Sequence, residues 1–331
     1  MKYASRKYVD LIRQTSAKWA NWDPPIPVQP GDYGTIDKET GEFLKEGNIY
    51  DPDFAPHLAT KFPNLDLSKH KPVTAEEESD FIVSSTGVRR TDFKFGPDMC
   101  VLYFSMISSC ADIMWIILDA SDTGDVSGIA GIASASLKGE WQFQEGRRGA
   151  LLVMHAPRQT YIPPGTILEP LYNIPLLKDK YLVTSVFSCP AYSLYLSNKS
   201  SEKVALALVG SVPLPSAPAV SAGGEISLEW WTNTQTSFLR KASHKTGSYC
   251  YTPLFKLQRK LPLTRRLFRD SPVPPPEGDD FWTDVHQPWE PLDEDGDEDP
   301  VYDEDVDFDQ DPTMINATNQ QSGGGGADDD F

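Results

Sequence analysis

Asp293, Asp295 and Asp297 alternate along the chain as the opening carboxylates of a calcium loop do, a spacing that lets their oxygens converge on one hard cation. The sixth position of that loop is Glu298, where the compact turn requires glycine, and helix-forming flanks are missing. No dedicated calcium site is expected. The five histidines, His57, His70, His155, His244 and His286, show no HExxH or HxH pattern and no cysteine at ligand spacing. Cys100, Cys110, Cys189 and Cys250 lack CxxC spacing, and Cys189 has no evident base beside it, so it reads as a packed strand thiol. GDYG and TGEF are turn chemistry without the Lys-Ser/Thr of a phosphate loop, and no GxSxG elbow occurs. The expectation is a protein that is not an enzyme and carries no metal or cofactor.

Charge is the more informative chemistry. Of the 48 acidic residues, 20 lie between Ser271 and Phe331, where there is no Lys or Arg; the remaining 28 face 30 basic residues in Met1 to Asp270. The body is therefore near +2 and the tail near −20, so the net charge of −18 belongs to the tail. Such a tail repels phosphate backbones, and no nucleic-acid partner is expected. Two basic groups stand out: Lys2, Arg6, Lys7, Arg13 and Lys18 at the N-terminus, and Lys256, Arg259, Lys260, Arg265, Arg266 and Arg269 just before the tail. An acidic tail can fold back over such clusters at high effective concentration, or it can serve only to keep the protein dispersed. Phe281, Trp282, Trp289, Tyr302 and Phe308 are its candidate hydrophobic anchors.

The elements that position these charges follow from periodicity. Tyr3 to Trp19 is expected to be an amphipathic helix, with Tyr8, Leu11, Ile12 and Thr15 on one face, ending before Asp23-Pro24-Pro25. Its basic face suits an anionic lipid surface and equally suits a solvent-facing cover for the core. Gly31 to Asp51 reads as a hairpin turning at Gly41. From Phe81 to Val212 short runs such as WQFQ, ALLVM, KYLVTSVF, YSLYL and KVALALV read as strands. EISLEWW alternates, with Ile226, Leu228 and Trp230 on one face; Ser237 to Lys245 is read as helical, and Tyr251 to Leu261 as the last strand. Asp125 to Gly139 is rich in small residues and fits a short helix or a loop. The fold class is α+β, built on a twisted antiparallel sheet with surrounding helices. The chain divides into a body over 1–262, a basic, Pro-rich linker over 263–284, and an acidic, mostly disordered tail over 285–331.

Met99 to Leu118 is nearly long enough for a membrane helix, yet Asp112 and several serines interrupt it. Two adjoining buried strands suit it better than a permanent span, and insertion only under particular conditions is the other reading. The start MKYASRKYVD lacks the apolar core of a secretory signal, so a reduced, cytoplasmic setting is expected.

Four stretches together, Lys18 to Tyr50, Arg158 to Leu171, Leu177 to Lys199 and Glu225 to Gln258, resemble the fungal gasdermin-like proteins, relatives of the N-terminal domain of animal gasdermins. The resemblance covers roughly residues 1 to 262. It implies a pore-forming domain that binds acidic membrane phospholipids, assembles as a homo-oligomer and inserts a β-barrel, executing regulated cell death in allorecognition. The basic residues of the first helix would then be lipid contacts, and the C-terminal segment an inhibitor removed by a protease or displaced by an allelic partner protein. The protein would be cytoplasmic when inactive and at the plasma membrane when activated. Phe93 to Leu118 and Gly149 to Phe187 have apolar length enough for membrane hairpins. Animal members carry a large helical inhibitory domain, for which Ser271 to Phe331 has too few apolar residues. The alternative is a soluble adaptor whose acidic tail engages a basic partner.

Overall fold

The computed structural model describes residues 3–91, 137–165, 167–211, 227–234, 238–261 and 281–299. In chain order these form α1 (Ala4–Ser16), β1 (Trp19–Ala20), β2 (Asp32–Ile36), β3 (Phe43–Asn48), α2 (Ala55–Ala59), β4 (Val73–Glu77), β5 (Phe81–Ser84) and β6 (Val88–Thr91). There follow β7 (Leu137–Phe143), β8 (Ala150–His155), β9 (Arg158–Tyr161), α3 (Leu168–Tyr172), β10 (Tyr181–Cys189), β11 (Ala191–Leu196), β12 (Lys203–Ser211), β13 (Ser227–Asn233), β14 (Phe238–Ser243), β15 (Tyr251–Lys260) and β16 (Trp282–Asp284). The class is α+β and the strand pairing is antiparallel.

Three sheets carry the fold. The first has the central order β1-β15-β10-β2-β3, with β16 added to β15, β9 to β10 and β4 to β9. The second runs β14-β11-β8-β5 and the third β13-β12-β7-β6. The inner strands of this middle sheet, β8 and β11, are buried on both faces, and the period of two divides their side chains between two cores. Leu152 and Met154 of β8, with Tyr192, Leu194 and Leu196 of β11, join a core shared with Tyr8, Val9 and Ile12 of α1 and with Phe255 and Leu257 of β15. Leu151, Val153, Ala191 and Tyr195 face the other way, onto Trp141, Phe143, Val204, Leu206 and Trp230 of the third sheet. A third core packs Phe54, Leu58, Leu168, Leu171 and Leu182 with Trp282.

β2 and β3 form the hairpin read at Gly31 to Asp51, with Ile36 opposite Phe43 and Gly41 at φ +75°. The remaining strand expectations at WQFQ, ALLVM, KYLVTSVF, YSLYL, KVALALV and EISLEWW fall on β7, β8, β10, β11, β12 and β13. Cys189 is fully buried, and burial pushes its thiol up, as a packed strand thiol requires.

Three expectations change. α1 ends at Ser16 rather than running to Trp19, because Ala17 turns left-handed at φ +55° and Trp19 and Ala20 pair with Phe255 and Leu254 of β15. Within Ser237 to Lys245 the chain is strand, not helix: β14 pairs along its length with β11, from Phe238–Leu196 to Ser243–Ala191. Gly149 to Phe187 runs through β8 of the second sheet, then β9, α3 and most of β10, with β9 and β10 in the first sheet. β15 is not the last strand, because β16 pairs with it. Of Asp125 to Gly139 only Leu137 to Gly139 are described, and they open β7. Met99 to Leu118 lies outside the described residues.

Candidate functional site

Residues 281–299 form a strap that crosses from the edge of the first sheet to the N-terminal end of α1. The strap begins as a strand. β16 sets Trp282, Thr283 and Asp284 opposite Lys260, Arg259 and Gln258, and Leu261 N–H donates to Phe281 O at 2.9 Å. Trp282 fills the third core and donates its indole N–H to Leu168 O at 2.6 Å, while Phe281 lies 5.1 Å from the Tyr172 ring. A strand edge satisfied by backbone pairing and an aromatic anchor explains how so acidic a segment holds a fixed course.

Beyond β16 the strap runs onto α1. Val285 and Trp289 join the core beneath the helix, and the Trp289 ring meets Trp19 edge-on at 5.7 Å. Trp289 Nε1 donates weakly to Asp10 Oδ1 at 3.4 Å. Arg13 donates to Val285 O at 3.2 Å and to Gln287 Oε1. Burial raises the Asp10 pKa, partly offset by the Trp289 bond and by Lys7 and Arg13, and burial lowers that of Arg13.

The strap closes in a small acidic loop. Leu292 and Glu298 form a bridge, Asp299 N–H donates to Pro291 O at 2.8 Å, and Asp293 Oδ1 accepts from the N–H groups of Asp295 and Asp297. Gly296 sits at φ +85°, and an added Cβ there would lie 3.0 Å from Tyr3 O; the turn needs glycine both for its backbone and for its closeness to α1. The alternate aspartates thus make a turn, and Asp295 faces cations of the body. Among the described residues no group of three His, Cys, Asp or Glu is placed to hold a metal ion.

The basic residues of α1 are gathered by this loop. Arg6, 5% exposed, donates to Lys38 O, Gly296 O and Glu298 Oε1 at 3.0, 2.5 and 3.1 Å. Lys7, 4% exposed, reaches Leu292 O at 3.2 Å. Lys18 lies apart, half-buried, with Nζ 5.5 Å from the Phe187 ring centre; Lys2 lies outside the described residues. Two cations that sequence reasoning passed over complete the group. Arg148 meets Asp295 Oδ1 at 3.2 Å, and Lys199 meets Asp295 Oδ2 at 2.6 Å. They lie in turns before β8 and after β11, where no periodicity marks them, and only the folded arrangement brings them to α1. The bonds from Lys199 and then Arg148 hold the Asp295 carboxyl below its usual range.

The second basic group is dispersed. Lys256 pairs with Asp284 at 3.0 Å, Arg259 stands opposite Thr283, and Lys260 donates to Ile174 O at 2.6 Å. Burial, with Lys61 nearby, brings the Lys260 ammonium down to about 8. Arg265, Arg266 and Arg269 lie outside the described residues, as do Tyr302 and Phe308 among the anchors. Elsewhere His155 Nδ1 sits 2.7 Å from Asp80, whose carboxylate also accepts from Ala156 N–H, which ties the end of β8.

Comparison with protein-family models gives no match, and comparison with curated proteins gives none. Among the described residues no helix is long and apolar enough to cross a membrane, a statement that does not bear on crossing by strands.

Proposed function

We propose that this chain is a gasdermin-like pore former: it binds acidic phospholipid, oligomerises and opens a β-barrel, and the strap holds it inactive until it is cut away or displaced. The observation that carries this reading is the burial of Arg6 and Lys7, with the engagement of Arg13, beneath an acidic segment of the same chain. A helix surface fit for anionic lipid is covered by carboxylates and carbonyls in its place, and each Lys or Arg freed near such a surface contributes roughly 1 kcal/mol to attraction.

The third sheet supports the membrane step. Thr91, Leu137, Ser211 and Ser227 all end their strands at one edge, with Leu137 paired to Leu208 and Ser211 to Ser227. The chain joining these ends supplies 45 residues over 92–136, including Phe93 to Leu118, and 15 over 212–226. Lengthening both strand pairs gives four adjacent strands, and only a closed barrel of such strands satisfies its backbone in hydrocarbon. The adaptor reading gains less, because the strap's described carboxylates Asp284, Asp295 and Glu298 already pair with this chain's own cations.

The test is dye release from liposomes containing acidic lipid. Protein ending near Asp270 is expected to release dye where the full chain does not; well-folded truncated protein that releases none at any concentration refutes the proposal. Full-length Trp289→Ala, in which the strap is loosened and nothing is deleted, provides the same readout if truncation disturbs folding. Activation in cells without shortening of the chain would remove the protease and leave displacement by a partner.

A further inference from the structure

We infer that Arg148, Lys199 and the main-chain N–H of Arg148 form a binding site for phosphate groups on a small polyanion, and that Glu294 and Asp295 occupy this site as a built-in substitute. The inference rests on the proposed release of the strap and adds a ligand class and two residues to it. Arg148 N–H donates to Glu294 Oε2 at 2.6 Å, Arg148 Nη2 to Asp295 Oδ1 at 3.2 Å, and Lys199 Nζ to Asp295 Oδ2 at 2.6 Å. Two oxyanions on adjacent residues are thus received by a guanidinium, an ammonium and a backbone amide.

The site is held by the fold. The Arg148 side chain is 9% exposed, and its Nη1 donates to Ser197 O at 3.4 Å. Gly149 N–H donates to Ser197 Oγ at 2.8 Å, and Gly146 N–H to Lys199 O at 2.7 Å, so the turns bearing the two cations are bonded to each other. Arg6 and Lys7 flank the site under the same acidic loop. A fixed guanidinium beside a half-exposed ammonium and an amide N–H matches tetrahedral phosphate oxygens as well as carboxylates, and a ligand with several phosphates would meet the flanking cations too. The strap side uses only short acidic side chains and carbonyls, which a phosphorylated headgroup replaces group for group.

The experiment compares full-length protein, Trp289→Ala with its loosened strap, and Trp289→Ala combined with Lys199→Glu or with Lys203→Glu. Lys203 pairs with Glu140 at 3.8 Å, is 64% exposed, and supplies the same charge change outside the site. Each protein is titrated calorimetrically with soluble inositol trisphosphate. Each is also sedimented with phosphatidylcholine vesicles doped with phosphatidylserine or with a phosphorylated phosphatidylinositol. Trp289→Ala is expected to bind at least about tenfold tighter than the full chain, and Lys199→Glu to remove about tenfold where Lys203→Glu does not. Binding to the soluble probe identifies free phosphate as a sufficient ligand, and binding to vesicles alone identifies the lipid headgroup; both support the site. Equal binding with and without Lys199→Glu, or equal loss with Lys203→Glu, overturns it. Arg148→Lys, which keeps the charge in the buried position, repeats the test if Lys199→Glu lowers thermal stability. Dye release separates the two proposals. Binding at the site without leakage would leave the site and remove the pore, whereas undiminished leakage and vesicle binding by the Lys199→Glu protein would do the reverse.

Discussion

Replacing Trp289 with alanine should detach the C-terminal half of the strap while leaving the sheets intact. The indole is 6% exposed and sits against Trp19 and the turn at Gly41, where an added Cβ would lie 3.3 Å from its ring. Its polar bond to Asp10, at 3.4 Å, adds little. Truncating a buried tryptophan costs about 3–5 kcal/mol. The ion pairs of Glu298, Asp295 and Asp284 each involve a carboxylate about half exposed, and solvent screening leaves such pairs little net contribution. Trp289 is therefore the largest single hold beyond β16, and its loss should raise the open population roughly two to three and a half orders of magnitude, at 1.4 kcal/mol per tenfold. Hydrogen exchange reads this directly. Amides in a peptide spanning 285–299, including Asp293 and Asp299, which donate to Asp297 O and Pro291 O, should exchange faster by that factor. The buried strand β8, Ala150–His155, should keep its protection and serve as the internal standard. Unchanged exchange in the strap, or equal acceleration in strap and β8, would refute the view that the strap is a locally docked unit held by this ring.

Three further outcomes follow from the same contacts. Asp295 has its pKa depressed below the ordinary 3.8, so its contribution to docking is complete above that value and is lost as pH falls through the depressed one. Near-ultraviolet circular dichroism should show an acid-side change below 3.8 that Asp295→Asn removes; Asp10, raised by burial, contributes in the opposite sense and loses its contribution as pH rises. Gly34→Ala places a Cβ 1.9 Å from Leu44 O and should cost at least about 3 kcal/mol in urea unfolding, because the obstruction is backbone and cannot rotate away. Leu152→Ala, fully buried in the middle sheet, should cost about 2–5 kcal/mol in the same assay, whereas Lys203→Ala should cost less than about 1 kcal/mol.

Much of the strand content was legible because each strand carries its own signal. In β8 from Ala150 to Met154, and throughout β11, every position is apolar, aromatic or small, as burial on both faces demands, and in β13 Trp230 is buried while Glu229 is exposed. β14 was misread because its exposed edge carries Phe238, Arg240 and Lys241 without clean alternation; its strand state comes from pairing with β11. The helix boundary failed for a related reason. Nothing local stops the pattern at Ser16, and it is β15 that takes Trp19 and Ala20 into a sheet.

The candidate site divides in the same way. Sequence identified Arg6, Lys7 and Arg13 as one basic helix, and Trp282 and Trp289 as rings in an otherwise acidic tail, since helical spacing and aromatic identity are local properties. It also marked the charge break between body and tail. What it did not mark is the fixed course of 281–299, for a segment poor in apolar residues can still be ordered by surfaces remote in the chain. Here those surfaces are the free edge of β15, the core around Trp19, and cations drawn from α1, the turn at Arg148 and the turn at Lys199. The sequence by itself determined which groups could attract one another. Only the tertiary structure decided which of them meet, because contacts between residues 6 and 298, or 148 and 295, depend on how three sheets stack and not on any spacing along the chain.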